Sequence, residues 1–187
     1  RTGFTDSEVS NRAVYVFERA EIGEHWEING GIRFEQNEGQ AFTGAIATPY
    51  PAPPAAPVVT LSGPFENDAD LFSYRIGLVY QPIETLSFYL AHGNSETPSQ
   101  ATVNGACNAT NCNVDPEEAE TYEIGAKWDA LGGRLSLTAA AFSNQRSSFR
   151  IASGEPGVPE QVLDGASRVD GLALGASGLI TDHWSIF

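Results

Sequence analysis

The sequence predicts an all-β, antiparallel fold of about eight strands, of the kind that builds the wall of a transmembrane β-barrel. Three observations lead there. Apolar and polar residues alternate with a period of two in eight segments, the spacing that puts successive side chains on opposite faces of a strand. Short turns alternate strictly with long connections. Charged residues make up only 18% of the chain, while glycines (19) and aromatics (10%) are plentiful, a composition that favours strands over helices.

The strands fall into four hairpins, at about 13–35, 71–94, 118–146 and 168–187. The first joins "AVYVFERAEI" to "HWEINGGIRFE" through a turn near Gly23 to His25. The second joins "LFSYRIGLVY" to "TLSFYLAHG" at "QPIE", where Pro82 fixes a backbone dihedral suited to a tight turn. The third lies in "VDPEEAETYEIGAKWDALGGRLSLTAAAFSNQ" and turns at "DALGG", where Gly132 and Gly133 can take positive φ at little cost. The fourth joins "RVDGLALGASGLI" to "HWSIF" at "TD". The connections at about 36–70, 95–117 and 147–166 read as long loops, beyond the lengths usual in compact soluble domains. "TPYPAPPAAP" in the first is too proline-rich for ladder pairing and reads as an extended surface segment.

Each strand has two unlike faces. Trp26, Ile28, Ile32 and Phe34 oppose Glu27, Asn29, Gly31 and Arg33; Tyr122, Ile124, Ala126 and Trp128 oppose Thr121, Glu123, Gly125 and Lys127. A soluble sandwich also alternates. Against it stand segment lengths near the roughly 9–11 residues that cross a bilayer at a tilt, and the aromatics Trp26, Tyr80 and Trp128 near strand ends on the apolar face. Val79 and Phe142 are misfits, because both fall on polar faces.

The formal net charge is −14, which excludes a nucleic-acid binder. Thirteen of the 24 acids fall in or at the margins of the stretches read as loops, Glu35, Glu118 and Glu120 being the marginal ones, so the acidity is assigned to loops. No apolar run is long enough for a transmembrane helix, a test that β-strands escape. Cys107 and Cys112 in "CNATNC" suggest a local disulfide and an oxidising compartment; half of a metal site is the competing reading, with no His or further Cys nearby to complete it. No nucleophile motif or acid pair is in register with His25, His92 or His183, so the chain reads as non-enzymatic, without a metal site or resident cofactor. "ENDAD" and "DPEEAE" read by default as solvated loop acids, with divalent cations bridging lipopolysaccharide as the alternative.

Several pieces resemble one family, the TonB-dependent outer-membrane receptors, and among them the ferric siderophore receptors. The motif Pro-Glu, then Tyr-Glu-x-Gly-x-Lys, a tight turn and an aliphatic strand ending in Ala-x-Phe is matched by Pro116, Glu117, Tyr122, Glu123, Gly125, Lys127, Ala140 and Phe142. "YRIGLVYQPIETLSFYLAHGNSETPS" and "WEINGGIRFE" agree in order and spacing, and "LDGASRVDGLALGASGLITDHWSI" is similar in wording to catecholate-type receptors. The resemblance implies that residues 1–187 are part of a 22-stranded barrel in the bacterial outer membrane, with the plug domain absent. It also implies these partners: membrane lipid and lipopolysaccharide, the rest of the barrel and plug, the TonB complex through that plug, and a ferric siderophore as cargo.

On that reading Arg33, Arg75, Glu123 and Lys127 face the lumen. Tyr50, Arg146, Phe149 and Arg150 are candidate ligand contacts, because guanidinium groups pair with an anionic chelate and rings stack on it. The alternatives are a complete eight-stranded outer-membrane protein with a structural or adhesive role, and a secreted sandwich.

Overall fold

The computed structural model describes residues 3–47, 58–99, 108–109, 111–148, 150–151, 161–162 and 167–187. Eight strands form one antiparallel sheet in sequence order: β1 (Gly3–Ile22), β2 (Trp26–Ala47), β3 (Val58–Ile83), β4 (Leu86–Thr97), β5 (Glu117–Ala130), β6 (Leu135–Ser147), β9 (Ser167–Thr181) and β10 (Trp184–Ile186). Between β6 and β9 a separate two-residue pair joins β7 (Arg150–Ile151) to β8 (Gln161–Val162). The sheet is open: β1 and β10 occupy opposite edges and are not paired with each other, so the described strands do not close into a small eight-stranded barrel.

The short turns lie at one end of the sheet and the long connections at the other, as expected. The second turn falls at Glu84–Thr85, two residues later than "QPIE" suggested, because pairing resumes at Ile83 with Leu86 after a register shift that Pro82 accompanies. A proline cannot donate to the ladder, so it is tolerated at such an irregularity.

The first long connection requires a correction. Residues 36–47 and 58–70 are paired strand, from Gln36 with Asp70 to Ala47 with Val58, with one register shift between Ala41 and Thr43. A strand of 22 residues at about 3.3 Å each is more than twice the roughly 30 Å of a hydrocarbon core. The surplus projects beyond the amphipathic belt; there one face exposes Glu38, Glu66 and Asp68, while the other buries Asn37, Ala41, Asn67 and Ala69, small or polar residues that leave no apolar alternation to read. The acids follow: Glu35, Glu38, Glu66, Asp68, Asp70, Glu96, Glu117, Glu118 and Glu120 stand on strands and not in loops. β1 likewise begins at Gly3, ten residues before the expected limit, and pairs with the extension of β2 from Gly3 with Ala45 to Arg12 with Gln36, and β4 runs three residues further, to Thr97. The other limits differ by a residue, and the tip containing Tyr50 lies outside the described residues.

Register carries the two-faced pattern across the whole sheet. Ile28, Leu78, Leu90, Ile124 and Ala141 follow one another from β2 to β6 on one face, ending at Leu172 on β9. Nothing covers this face among the described residues: Leu172 and Leu174 are 82% and 85% exposed, and Ile124 60%. Among the described residues the largest fully buried side chain is Asn37, and the buried apolar residues are few and mostly small: Ala41, Ala69, Leu71, Cys112 and Ala130. Apolar surface this extensive and one-sided is not a soluble sandwich layer.

Candidate functional site

On the polar face the register brings together the charged residues expected there. Arg75 lies opposite Gly31 and Gly93, Arg33 opposite Ser73, Glu123 opposite Ala91, and Lys127 opposite Ser87, which places all four on one side of the sheet. Their partners differ. Arg33 is paired with Glu35, its Nε donating to Oε2 over 2.7 Å. Burial opposes the charge of Glu35, but hydrogen bonds from Asn11 and Arg33 outweigh it and hold its pKa below the usual range. Arg75 instead rests over Phe17, 5.8 Å from the ring centroid, and Lys127 over Tyr89 at the same distance. Neither makes an ion pair with a described carboxylate.

Tyr89 connects these groups, because its hydroxyl donates to Glu123 over 2.6 Å and its ring lies where a side chain on Gly125 would be. Phe142 does the same over Gly171, which explains why this aromatic sits on the polar face: the glycine opposite leaves a flat backbone for its ring to cover. Replacing Gly125 by Val is expected to displace Tyr89 from Glu123 and cost about 1–3 kcal/mol. Thermal unfolding would measure the loss, which Tyr89→Ala in the same chain should relieve.

Of the candidate ligand contacts, Arg146 is on the polar face near its outer end, exposed and in an ion pair with Glu117. Arg150 is in β7. Tyr50 and Phe149 lie outside the described residues, as does Cys107. Cys112 is disulfide-bonded and buried; it packs on Ala41 and Phe65, and its carbonyl accepts hydrogen bonds from Ser99 (2.5 Å) and Asn67 (3.0 Å). Ala41 pairs with Phe65 on the polar face, so Cys112 lies on that side of the β2–β3 extension. Among the described residues no group of three or more His, Cys, Asp or Glu is placed to hold a metal.

The apolar face is edged by aromatics at both ends. At the short-turn end the Trp26 and Tyr80 rings lie 4.5 Å apart. At the other end His92, which stands alone in the sequence, is stacked on Tyr122 at 4.2 Å and meets Tyr74 edge-on at 5.3 Å. Its Nδ1 lies 3.1 Å from the Thr121 carbonyl, which can only accept, so in the neutral ring Nδ1 carries the proton and Nε2 accepts from the Tyr74 hydroxyl at 2.8 Å. This cluster was invisible in the sequence because its members come from three strands and only register joins them.

A family model described as "TonB dependent receptor-like, beta-barrel" matches residues 1–187. The chain is 33% identical over 186 residues to the "Probable TonB-dependent siderophore receptor PiuA" of Acinetobacter baumannii, covering 97% of this chain and 23% of that protein. It is 29% identical over 189 residues to the "Catecholate siderophore receptor Fiu" of Escherichia coli K12, covering 93% and 24%. The crystal structure of PiuA superposes with a TM-score of 0.77 at 32% identity, over 97% of this chain and 24% of that one. The closed form of Fiu gives 0.77 at 26% identity, over 97% and 27%. The chain thus spans about a quarter of the length of the relatives it matches. With a match along its whole length and an open antiparallel sheet that superposes on receptor barrels, the chain belongs to the TonB-dependent receptor-like β-barrel family.

Proposed function

We propose that this chain is part of the barrel wall of an outer-membrane, TonB-dependent transporter that imports a ferric siderophore. The observation that carries the reading is the division of the sheet: an uncovered apolar face edged by aromatics, and an opposite face bearing Arg33, Arg75, Lys127 and Arg146. A bilayer satisfies the first face and a watery lumen the second. Cations on the lumen side suit an anionic iron chelate.

A catecholate cargo is favoured by the relation to Fiu. In this reading Arg146, with Tyr50, Phe149 and Arg150, lies toward the outer mouth, and a chelate reaching Arg146 competes with Glu117 for its guanidinium. The outer strand extensions contact lipopolysaccharide. The plug lies against the lumen face of the wall, and the TonB complex acts through that plug.

The test is uptake of radiolabelled iron by iron-starved cells lacking the full-length receptor. Import of at least one ferric catecholate should be lost and restored by the intact gene, while unchanged uptake of every siderophore supplied would overturn the reading.

A further inference from the structure

Within the apolar face one side chain is out of place. Glu18 lies on β1 in the series Val14, Val16, Glu18, Ala20, Ile22, so its carboxylate is on the apolar side, opposite Gly30. It is exposed and makes no ion pair or hydrogen bond with any described residue. Its depth follows from register. Ile22 pairs with Trp26 at one end of the belt and Val14 with Phe34 at the other, and Glu18 is midway between them, four residues from each. At about 3.3 Å per residue on a strand tilted by roughly 40°, that is about 10 Å in from either row. Val16, Ala20, Ile28, Ile32 and Ile76 surround it in a shallow groove to which Gly30 contributes no side chain.

A carboxylate at this depth is costly in hydrocarbon, and a glutamate side chain is too short to reach either interface. β1 is an edge strand, and its second edge has no partner among the described residues. The remainder of a receptor about four times this length is available to pair there. A strand hydrogen-bonded to that edge brings a side chain directly beside Glu18, at the spacing where opposite charges interact.

We infer that Glu18 forms a membrane-embedded ion pair with a cationic side chain on the strand that flanks the free edge of β1 in the complete receptor. The surface around Glu18 is then a protein seam and not plain lipid contact. This rests on the membrane-wall reading, and the experiment separates the two.

In the full-length receptor, folded in lipid and titrated with urea, Glu18→Leu should shift the equilibrium toward the unfolded form by about tenfold or more, because it strands a cation in hydrocarbon. Glu18→Gln should fall between Glu18→Leu and the natural protein. If Glu18 instead faces lipid alone, Glu18→Leu stabilises, and either that result or no change overturns the proposal. Should Glu18→Leu fail to fold, combining it with Leu in place of each Lys, Arg or His of the flanking strand must restore folding at one position; rescue at none also overturns it. Leu90→Arg in the same assay tests the membrane wall itself: if it is harmless, that reading fails, whereas if it destabilises while Glu18→Leu stabilises, only the ion pair is lost.

Discussion

Replacing Leu90 by Arg is expected to cost the folded receptor about 2–4 kcal/mol, the cost of a guanidinium near the middle of a lipid-facing barrel surface. Leu90 lies between Leu78 and Ile124 on the apolar face and is half exposed with nothing over it. On a soluble protein the same change at so open a position would stay within about 0.5 kcal/mol. The two environments therefore predict different outcomes for one substitution. Thr121→Arg is the control: it lies on the polar face, opposite Gly93 and two residues from Glu123, and should be nearly neutral. Urea titration in lipid vesicles measures both, and equal effects would exclude a lipid-facing belt.

Gly178→Val should be at least as damaging, for a local reason. Gly178 has φ +133, a conformation that L-residues rarely adopt. It is paired with Leu135 on one side and Ile186 on the other, and an added Cβ would collide with the Arg134 carbonyl and with the Leu135 backbone. The obstacle is main chain, so no rotamer change removes it. Strain of about 1–3 kcal/mol adds to overpacking of similar size. The expected result is loss of the compact, heat-modifiable form on unboiled gels; a variant that migrates like the natural receptor would show that the ladder between β6 and β9 is not in this register.

The belt hairpins were legible because a strand with lipid on one side and water on the other must alternate, and tight turns need particular residues. Trp26, Ile28, Ile32 and Phe34 therefore declare their face without a structure. The outer half of β2 and β3 was not legible for the same physical reason. Beyond the belt the covered face is built of small and polar residues, Asn37, Ala41, Asn67 and Ala69, so apolar residues do not alternate there and "QNEGQAFTGA" looks like a loop. Phe142 seemed a misfit only because Gly171, the residue its ring covers, is distant in sequence. Glu18 was signalled by parity among Val14, Val16, Ala20 and Ile22, but its position at mid-depth needed the pairing with Gly30.

The sequence alone determined the class of fold, the four hairpins, the identity of the polar and apolar faces and the family, since each follows from local periodicity or from short contiguous motifs. Only the tertiary structure decided which residues meet: Tyr74, His92 and Tyr122 across three strands, Cys112 against Ala41 and Phe65, and Tyr89 between Glu123, Gly125 and Lys127. Register between strands is set by the sum of many weak cross-strand contacts along each ladder. No single stretch of chain encodes that sum, so the neighbours of any one side chain appear only when the sheet is assembled.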